Sequence, residues 1–348
     1  CRVKKAEDSI QEWKLMLSGD IVEGDAVVRV KTNLELPNPA LRDWPALRIQ
    51  HTTHPIVGNK YKVWPLLDFQ SAVEDHLQGV THIVRGKDLM DSTRKQKLLY
   101  ELLGWDYPET LYWGRVKLLG FGGFSTSSIR KSIEDGDFSG WDDPRLPTVS
   151  ALRRRGFSPQ ALREFWIELG LTQKDISIPM ESIESKNSKI VDRYSERRSF
   201  IESPRELQLV GDVDDMGLIS IRRHPDIPEM GVREWDLGTG SIFISENDYS
   251  EGLVRLKDFA DIDIKGGSAF IVSKEKTANL PIIHWVSSKN STEAKIIIPR
   301  DGEIVCAEGV IENIEILTGQ CLQLERMGFA MVEEISESNG VYLIWLHG

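Results

Sequence analysis

The chain has 348 residues, with 43 Lys and Arg against 54 Asp and Glu, a formal charge of −11. Apolar residues at 40% and charged residues at 28% leave room for a real core, and exclude a collagen-like, disordered or disulfide-stapled chain. The charge is unevenly placed: residues 1–223 carry 33 basic and 33 acidic side chains, and residues 224–348 carry 10 and 21. A nucleic-acid partner stays open, because phosphate contacts are local and net charge is a global sum.

Cys1, Cys306 and Cys321 are too few for a framework of bridges and too scattered for a zinc site, which predicts a reducing, cytoplasmic setting. No apolar run approaches the ~20 residues of a membrane helix, so no membrane partner is expected. The chain opens on Cys1 in a helical pattern with no leader, and is expected to be a piece of a longer polypeptide.

In chain order, a helix is predicted over Glu7–Leu17, stopped by Gly19, then a strand over Ala26–Thr32. The Pro-punctuated stretch NPALRDWPALRI reads as helical and Tyr61–Phe69 as extended. A strand over Thr81–Arg85 precedes a helix N-capped by Asp91 and closed by Gly104. This alternation suggests half of a doubly wound parallel sheet. A Gly-rich turn (Gly120, Gly122, Gly123) then leads into a Ser/Thr run and a Trp-Asp-Asp-Pro turn. Two helices follow, with Pro147 and Pro159 in their first turns and Gly156 and Gly170 at their ends. From about residue 200 the pattern is β: SIFIS, AFIVS, IIHWVS, AKIIIP, ENIEIL and GVYLIWL, with turn signals at Asp301-Gly302 and Asn339-Gly340. Six such runs without helices suggest barrels.

Four stretches could carry chemistry. The strand that ends in Arg85-Gly86 places a guanidinium at the carboxyl edge of a parallel sheet, where ligands bind in open α/β folds. Arg grips carboxylates with two prongs, although an arginine lying over a strand end explains the stretch without chemistry. Glu74-Asp75-His76 is acid, acid and base in a row, but three consecutive helical residues point apart, and a helix end stopped by Gly79 explains them. Gly122-Gly123-Phe124-Ser125-Thr126-Ser127-Ser128, with Arg130 and Lys131 behind it, offers amides, hydroxyls and a helix start to a phosphate. It lacks the tail of a P-loop, and a solvated loop accounts for it as well. Arg153, Arg154 and Arg155 are candidates for nucleic-acid phosphates or for a solvated helix end.

Together these stretches resemble the glutamyl/glutaminyl branch of class I aminoacyl-tRNA synthetases, most of all the archaeal type of glutamyl enzyme. The resemblance rests on WPLLDF (64–69), EDHLQGVTHIVRGKDLMDS (74–92), FSTSSIR (124–130) and, most strongly, GWDDPRLPTVSALRRRGFSPQALREF (140–165). It continues through HPDIPEMGVRE (224–234), VRLKDF (254–259), IIHW (282–285) and QLERMGF (323–329), and so spans essentially the whole chain.

The resemblance implies a multidomain fold. Residues 1–60 would be the end of an acceptor-stem-binding insertion, 61–120 the second half of an α/β Rossmann catalytic domain, and 121–200 the signature loop with a helical stem-contact region. Residues 201–348 would form two all-β anticodon-binding barrels. It implies a glutamate–tRNA ligase that activates glutamate with ATP and Mg2+ and passes it to tRNA, with no tightly bound cofactor and no protein-held metal. Arg85 matches the arginine that meets the substrate side-chain carboxylate, where glutaminyl enzymes carry an uncharged residue. Leu67 stands where many relatives have a Tyr on the amino acid. Gly86, Arg115 and Val116 fall near the adenine pocket, and Asp91 matches an Asp at the acceptor stem.

Phe124, Ser125, Thr126 and Ser127 match the last four positions of the Lys-Met-Ser-Lys-Ser loop, with Thr126 in place of the second lysine. Arg130 or Lys131 would then supply the missing charge, or magnesium would carry more of it, and Lys131 joins Ser125, Thr126 and Ser127 as a catalytic candidate. The first class I signature, His-x-Gly-His, does not occur in these residues, so the polypeptide alone is expected not to form glutamyl-adenylate. Two alternatives stay open: a glutaminyl enzyme, and a non-catalytic tRNA-binding module. Whether tRNA for glutamine is also a partner is not legible in the sequence.

Overall fold

The computed structural model describes residues 1–119, 125–211, 218–237, 240–276, 279–336, 338 and 340–348. The predicted turn at Gly120, Gly122 and Gly123, the loop residue Phe124 and the turn residue Asn339 lie outside these. Two compact units divide the chain: Cys1–Lys117 with Leu171–Ile176, and Leu118–Gly170 with Ser177–Gly348.

In the first unit, helix α1 (Ala6–Ser18) ends at Gly19 in the left-handed region, as the sequence predicts. Three short strands follow, Val27–Arg29, Pro45–Ile49 and Val63–Pro65, paired antiparallel with Pro45–Ile49 in the middle. NPALRDWPALRI is therefore not a helix. It makes one 3-10 turn at Pro39–Leu41 and then supplies the central strand. Pro39 and Pro45 donate no backbone hydrogen bond, and Asp43 sits between them at φ 39°, its carboxylate held by Arg2 and the Thr32 amide. The extended stretch near Tyr61 is likewise short, since α2 (Leu67–Leu77) starts directly behind Leu66 and ends ahead of Gly79.

Strand His82–Gly86 pairs in parallel with Glu109–Trp113, and α3 (Met90–Leu103) connects them. Asp91 is not the N-cap of α3. The 3-10 turn Lys87–Leu89 winds straight into the helix, so Asp91 lies in its first turn, accepting from Asn38 at 2.8 Å and Arg94 at 2.9 Å. Val30, Trp44 and Ala46 share one interior with Ala72, Leu99 and Tyr100, so the core runs across position 60.

The second unit holds α4 (Thr126–Glu134), α5 (Val149–Arg155), α6 (Pro159–Leu169) and α7 (Met180–Val191). Thr148 and Ser158 cap α5 and α6 by accepting from Ala151 N at 3.0 Å and Gln160 N at 3.2 Å. Pro159 takes the first turn of α6, whereas Pro147 precedes the cap of α5. Gly156 ends α5 at φ 102°, and a Cβ there would lie 2.6 Å from Met331 Cε, so the helix end rests on the β region without a side chain of its own.

Two seven-stranded sheets complete this unit. The order of the first is Ile282–Ile283, Gly252–Leu256, Asp261–Lys265, Ser268–Ser273, Pro204–Val210, Ser241–Ser245 and Trp285–Ser287. Its two end strands are pieces of one stretch broken at His284, which closes the sheet on itself and removes both edges. The second runs Glu196–Arg198, Cys321–Leu324, Gly328–Ser336, Gly340–His347, Ser291–Arg300, Glu303–Glu312 and Phe200–Glu202, closed in the same way by a stretch broken at Ser199. The chain starts the second barrel, builds the whole of the first, and returns to finish the second.

Alternation fills both interiors, with Ile242, Ile244, Leu256, Ile262 and Ile264 buried in the first and Leu322, Leu324, Val332 and Leu343 in the second. Each such side chain contributes roughly 1.5–3 kcal/mol relative to exposure. Five of the six β runs read from sequence lie in these strands. ENIEIL does not: the strand ends at Glu312, and Glu315 at φ 52° turns the chain away from the sheet.

Candidate active site

Arg85 ends the strand His82–Gly86 half-buried. Its Nη1 donates to Gln96 Oε1 at 2.9 Å and to Thr93 Oγ1 at 3.3 Å. Both acceptors are neutral, and among the described residues its Nε and Nη2 donate to no protein group and no carboxylate lies within ion-pair distance. Asp75 is close enough to feel the charge, yet burial raises its pKa above the usual carboxylate range despite Arg85. The side-on edge of the guanidinium thus carries no carboxylate of the protein and is suited to a two-oxygen anion.

The other expected residues of the first unit make contacts of their own. The Arg115 amide donates to Asp175 Oδ1 at 2.7 Å and its carbonyl accepts from Ile176 N at 3.0 Å, so its backbone is already engaged. Lys87, next to Gly86, pairs with the same Asp175 at 2.9 Å, and Lys87 and the Arg115 amide together hold that carboxyl below its usual range. Val116 begins the strand Val116–Leu119. Leu67 is 63% exposed and lines a separate cleft of about 450 Å³ with Arg48, His54 and Trp64, the last two rings stacked at 4.9 Å. Glu74, Asp75 and His76 diverge as helical geometry requires: Glu74 accepts from Gln78 at 2.6 Å, and His76 stacks on Trp105 at 3.7 Å.

In the second unit, Ser125 caps α4. Its Oγ accepts from Ser128 N at 3.1 Å while Ser128 Oγ accepts from Ser125 N at 2.8 Å, a reciprocal box that fixes the first turn. Thr126, Ser127, Arg130 and Lys131 are exposed, and neither cation holds an ion pair among the described residues. Phe124 lies outside the described residues.

The three arginines expected at phosphates part company. Arg153 is exposed. Arg154 pairs with Glu333 at 2.5 Å and with Asp142 at 3.8 Å. Arg155 is 4% exposed, donates to the Leu346 carbonyl at 2.6 Å, and burial pushes its pKa down to about 10. Arg155 is therefore withdrawn from the phosphate set: the Gly156 turn carries the helix end onto the barrel and takes this side chain inside. Asp143 explains the Trp-Asp-Asp-Pro turn. It is buried, accepts from Ser139 N at 3.0 Å and from Arg145 Nε at 2.9 Å and Nη2 at 2.7 Å, and these bonds overcome its burial to hold it well below the carboxylate range.

Sequence reading missed one feature of the β region. A cleft of about 650 Å³ gathers Arg197, Arg222, Lys257, His284 and Arg326 with Asp258 and Glu325; Arg197 pairs with Asp192, Lys257 and His284 with Glu325, and Arg326 with Asp248. Burial raises the Glu325 pKa, but His284 and Lys257 outweigh it and bring it down to about 2. Dispersed in sequence over more than 120 positions, these cations show no local signal. Among the described residues no group of three His, Cys, Asp or Glu side chains is placed to hold a metal ion.

The family described as tRNA synthetases class I (E and Q), catalytic domain, matches residues 2–193. The chain belongs to that family. The glutamate–tRNA ligase of Methanothrix thermoacetophila is 43% identical to it, covering 98% of this chain and 61% of that protein. The glutamate–tRNA ligases of Archaeoglobus fulgidus and Pyrococcus abyssi are 41% and 39% identical, covering 95% and 99% of this chain and 60% and 62% of theirs. The chain thus spans about 60% of the length of these curated relatives. A crystal structure of a glutamate tRNA ligase from Elizabethkingia meningosepticum is 21% identical and aligns at a TM-score of 0.31 over 45% of this chain and 34% of that one. Arg85, the α4 start and the three arginines all fall inside the span matched by the class I synthetase family, and the whole lining of the cleft falls beyond it.

Proposed function

We propose that this chain is the part of a glutamate–tRNA ligase that holds the glutamate side chain and contacts ATP and tRNA, at work in the cytoplasm. The observation that carries the reading is the free Nε–Nη2 edge of Arg85 beside neutral partners. A glutamate side chain brings two anionic oxygens to that edge. Glutamine brings one neutral oxygen and an NH2 that faces a donor-only guanidinium, so a charge-assisted bidentate pair favours glutamate.

In the full reaction the α-carboxylate oxygen of glutamate attacks the α-phosphorus of Mg·ATP, forming the acyl phosphate and releasing pyrophosphate. A ribose hydroxyl of the tRNA 3′ end then attacks the acyl carbon, and AMP leaves. Gly86, Arg115 and Val116 would flank the adenine, with Leu67 near the amino acid. The exposed first turn of α4 from Ser125 to Ser127 carries the positive end of a helix dipole toward phosphates, with Arg130 or Lys131 in place of the charge missing at Thr126. Arg153 would meet tRNA phosphate and Asp91 the acceptor stem, while the basic cleft between the barrels would receive unpaired anticodon bases by stacking and edge hydrogen bonds. The local cations of that cleft are what allow an acidic region to bind RNA.

Pyrophosphate exchange with glutamate and with glutamine, in the full-length enzyme and its Arg85→Ala variant, tests the reading. A charge-assisted pair of about 1.5–3 kcal/mol predicts a glutamate KM raised roughly 10- to 100-fold with the ATP KM nearly unmoved. An unchanged glutamate KM, or a wild-type preference for glutamine, overturns it.

A further inference from the structure

Gln96 is 1% exposed on α3, and all four hydrogen-bonding positions of its amide are used. Oε1 accepts from Arg85 Nη1 at 2.9 Å and from Tyr107 OH at 2.8 Å. Nε2 donates to Ser71 Oγ at 2.7 Å and to the Asp68 carbonyl at 3.2 Å. The donor-only guanidinium on one side and the acceptor-only carbonyl on the other leave a single amide orientation. Ser71 Oγ in turn donates to the Leu67 carbonyl at 2.8 Å, so an unbroken relay runs from the first turn of α2 to the guanidinium. Thr93, 3% exposed and one turn before Gln96 on the same helix face, supplies the second neutral acceptor for Nη1.

We infer that Gln96 is a positioning residue for glutamate specificity: its neutral amide, locked by Tyr107, Ser71 and the α2 backbone, fixes the rotation of Arg85 and leaves the Nε–Nη2 edge open without neutralising it. The inference rests on the reading of Arg85 as the anchor of the substrate side chain. An acceptor is required here, because a donor would repel the guanidinium. It must also be neutral, because a carboxylate at 2.9 Å would form an ion pair and cancel the charge intended for the substrate. An amide satisfies both conditions at one size.

The experiment compares four full-length variants by pyrophosphate exchange: Arg85→Ala, Gln96→Glu, Thr93→Val, and Arg85→Ala combined with Gln96→Glu. Gln96→Glu keeps the shape and adds one charge, and is expected to raise the glutamate KM about tenfold and shrink the preference over glutamine, while the ATP KM stays within about twofold. In the Arg85→Ala background the same change should add nothing to the glutamate KM, because the effect passes through Arg85. If Arg85→Ala leaves the glutamate KM unmoved, the reading of Arg85 fails first. If Arg85→Ala raises it and Gln96→Glu does not, or moves both KM values alike, the positioning role is overturned. Should Gln96→Glu fail to fold, Thr93→Val decides: a roughly threefold rise in the glutamate KM alone supports the relay, and no change overturns it.

Discussion

His347 is fully buried beside Asn187, whose Nδ2 lies 2.9 Å from its Nε2. Asn187 Oδ1 is already taken by the Ser158 amide at 2.8 Å, so Nδ2 is the donor and the imidazole is the neutral acceptor. Burial, with the Arg155 guanidinium nearby, pushes the ring down to about 4. The unfolded chain binds the proton near pH 6.5 and the folded one resists it, so this contribution is complete above pH 6.5 and is lost as pH falls from 6.5 toward 4. It amounts to about 3 kcal/mol at most. Urea midpoints should therefore drop between pH 7 and pH 4.5 in the wild type and much less in His347→Gln; a flat wild-type profile would show that the ring is not held neutral. The same scale separates what residue reading finds from what it misses. Arg85 was legible because a strand ending in Arg-Gly puts a guanidinium at a sheet edge. Gln96 left only a faint trace, as Thr93, Gln96, Leu99 and Tyr100 share one helical face and two of the four are polar. Arg155 reads the same as Arg153, since nothing local says which arginine a turn will bury.

Helices were the most legible elements, because their stops are chemical: Gly19, Gly104 and Gly156 adopt left-handed φ where the chain must leave the helix. The stretch NPALRDWPALRI misled because its helix-like spacing carries no information about the two strands that pair on either side of Pro45–Ile49. At α4, spacing of three and four residues sets Arg130 over Thr126 and Ser127, and Lys131 over Ser127 and Ser128. Lys131 thus stands about one turn behind Ser127 and Ser128 in the exposed first turn, with a side chain long enough to reach back toward a phosphate at the helix start. Lys131→Ala is expected to slow amino-acid activation about tenfold while tRNA binding changes less than twofold, measured by pyrophosphate exchange and by equilibrium tRNA binding in the full-length enzyme. Equal changes in the two would remove Lys131 from the chemistry and leave the charge to Arg130.

At the scale of the molecule, the two barrels are joined by an interior of charge. Glu312, 0% exposed, accepts from Arg198 at 3.1 Å, from Arg233, and from Trp235 Nε1 at 2.7 Å, while Arg198 also meets Glu196 at 2.5 Å. Arg198 and Glu312 belong to strands of the second barrel, and Trp235 to the core of the first. Removing one partner of such a buried set leaves unpaired charge, so Glu312→Ala should cost about 3–5 kcal/mol. Hydrogen exchange should then quicken in both barrels together, and a change confined to one would show that they are separable. The sequence by itself determined the family, the helix stops, most of the strands and the arginine at the sheet edge, because these depend on residue type and short spacing. Only the tertiary structure decided that 196–202 closes a barrel resumed some 90 residues later, that Arg155 is inside, that Gln96 holds Arg85, and that scattered cations meet in one cleft. Each of these is a contact between distant positions, set by which surfaces pack once the chain has folded.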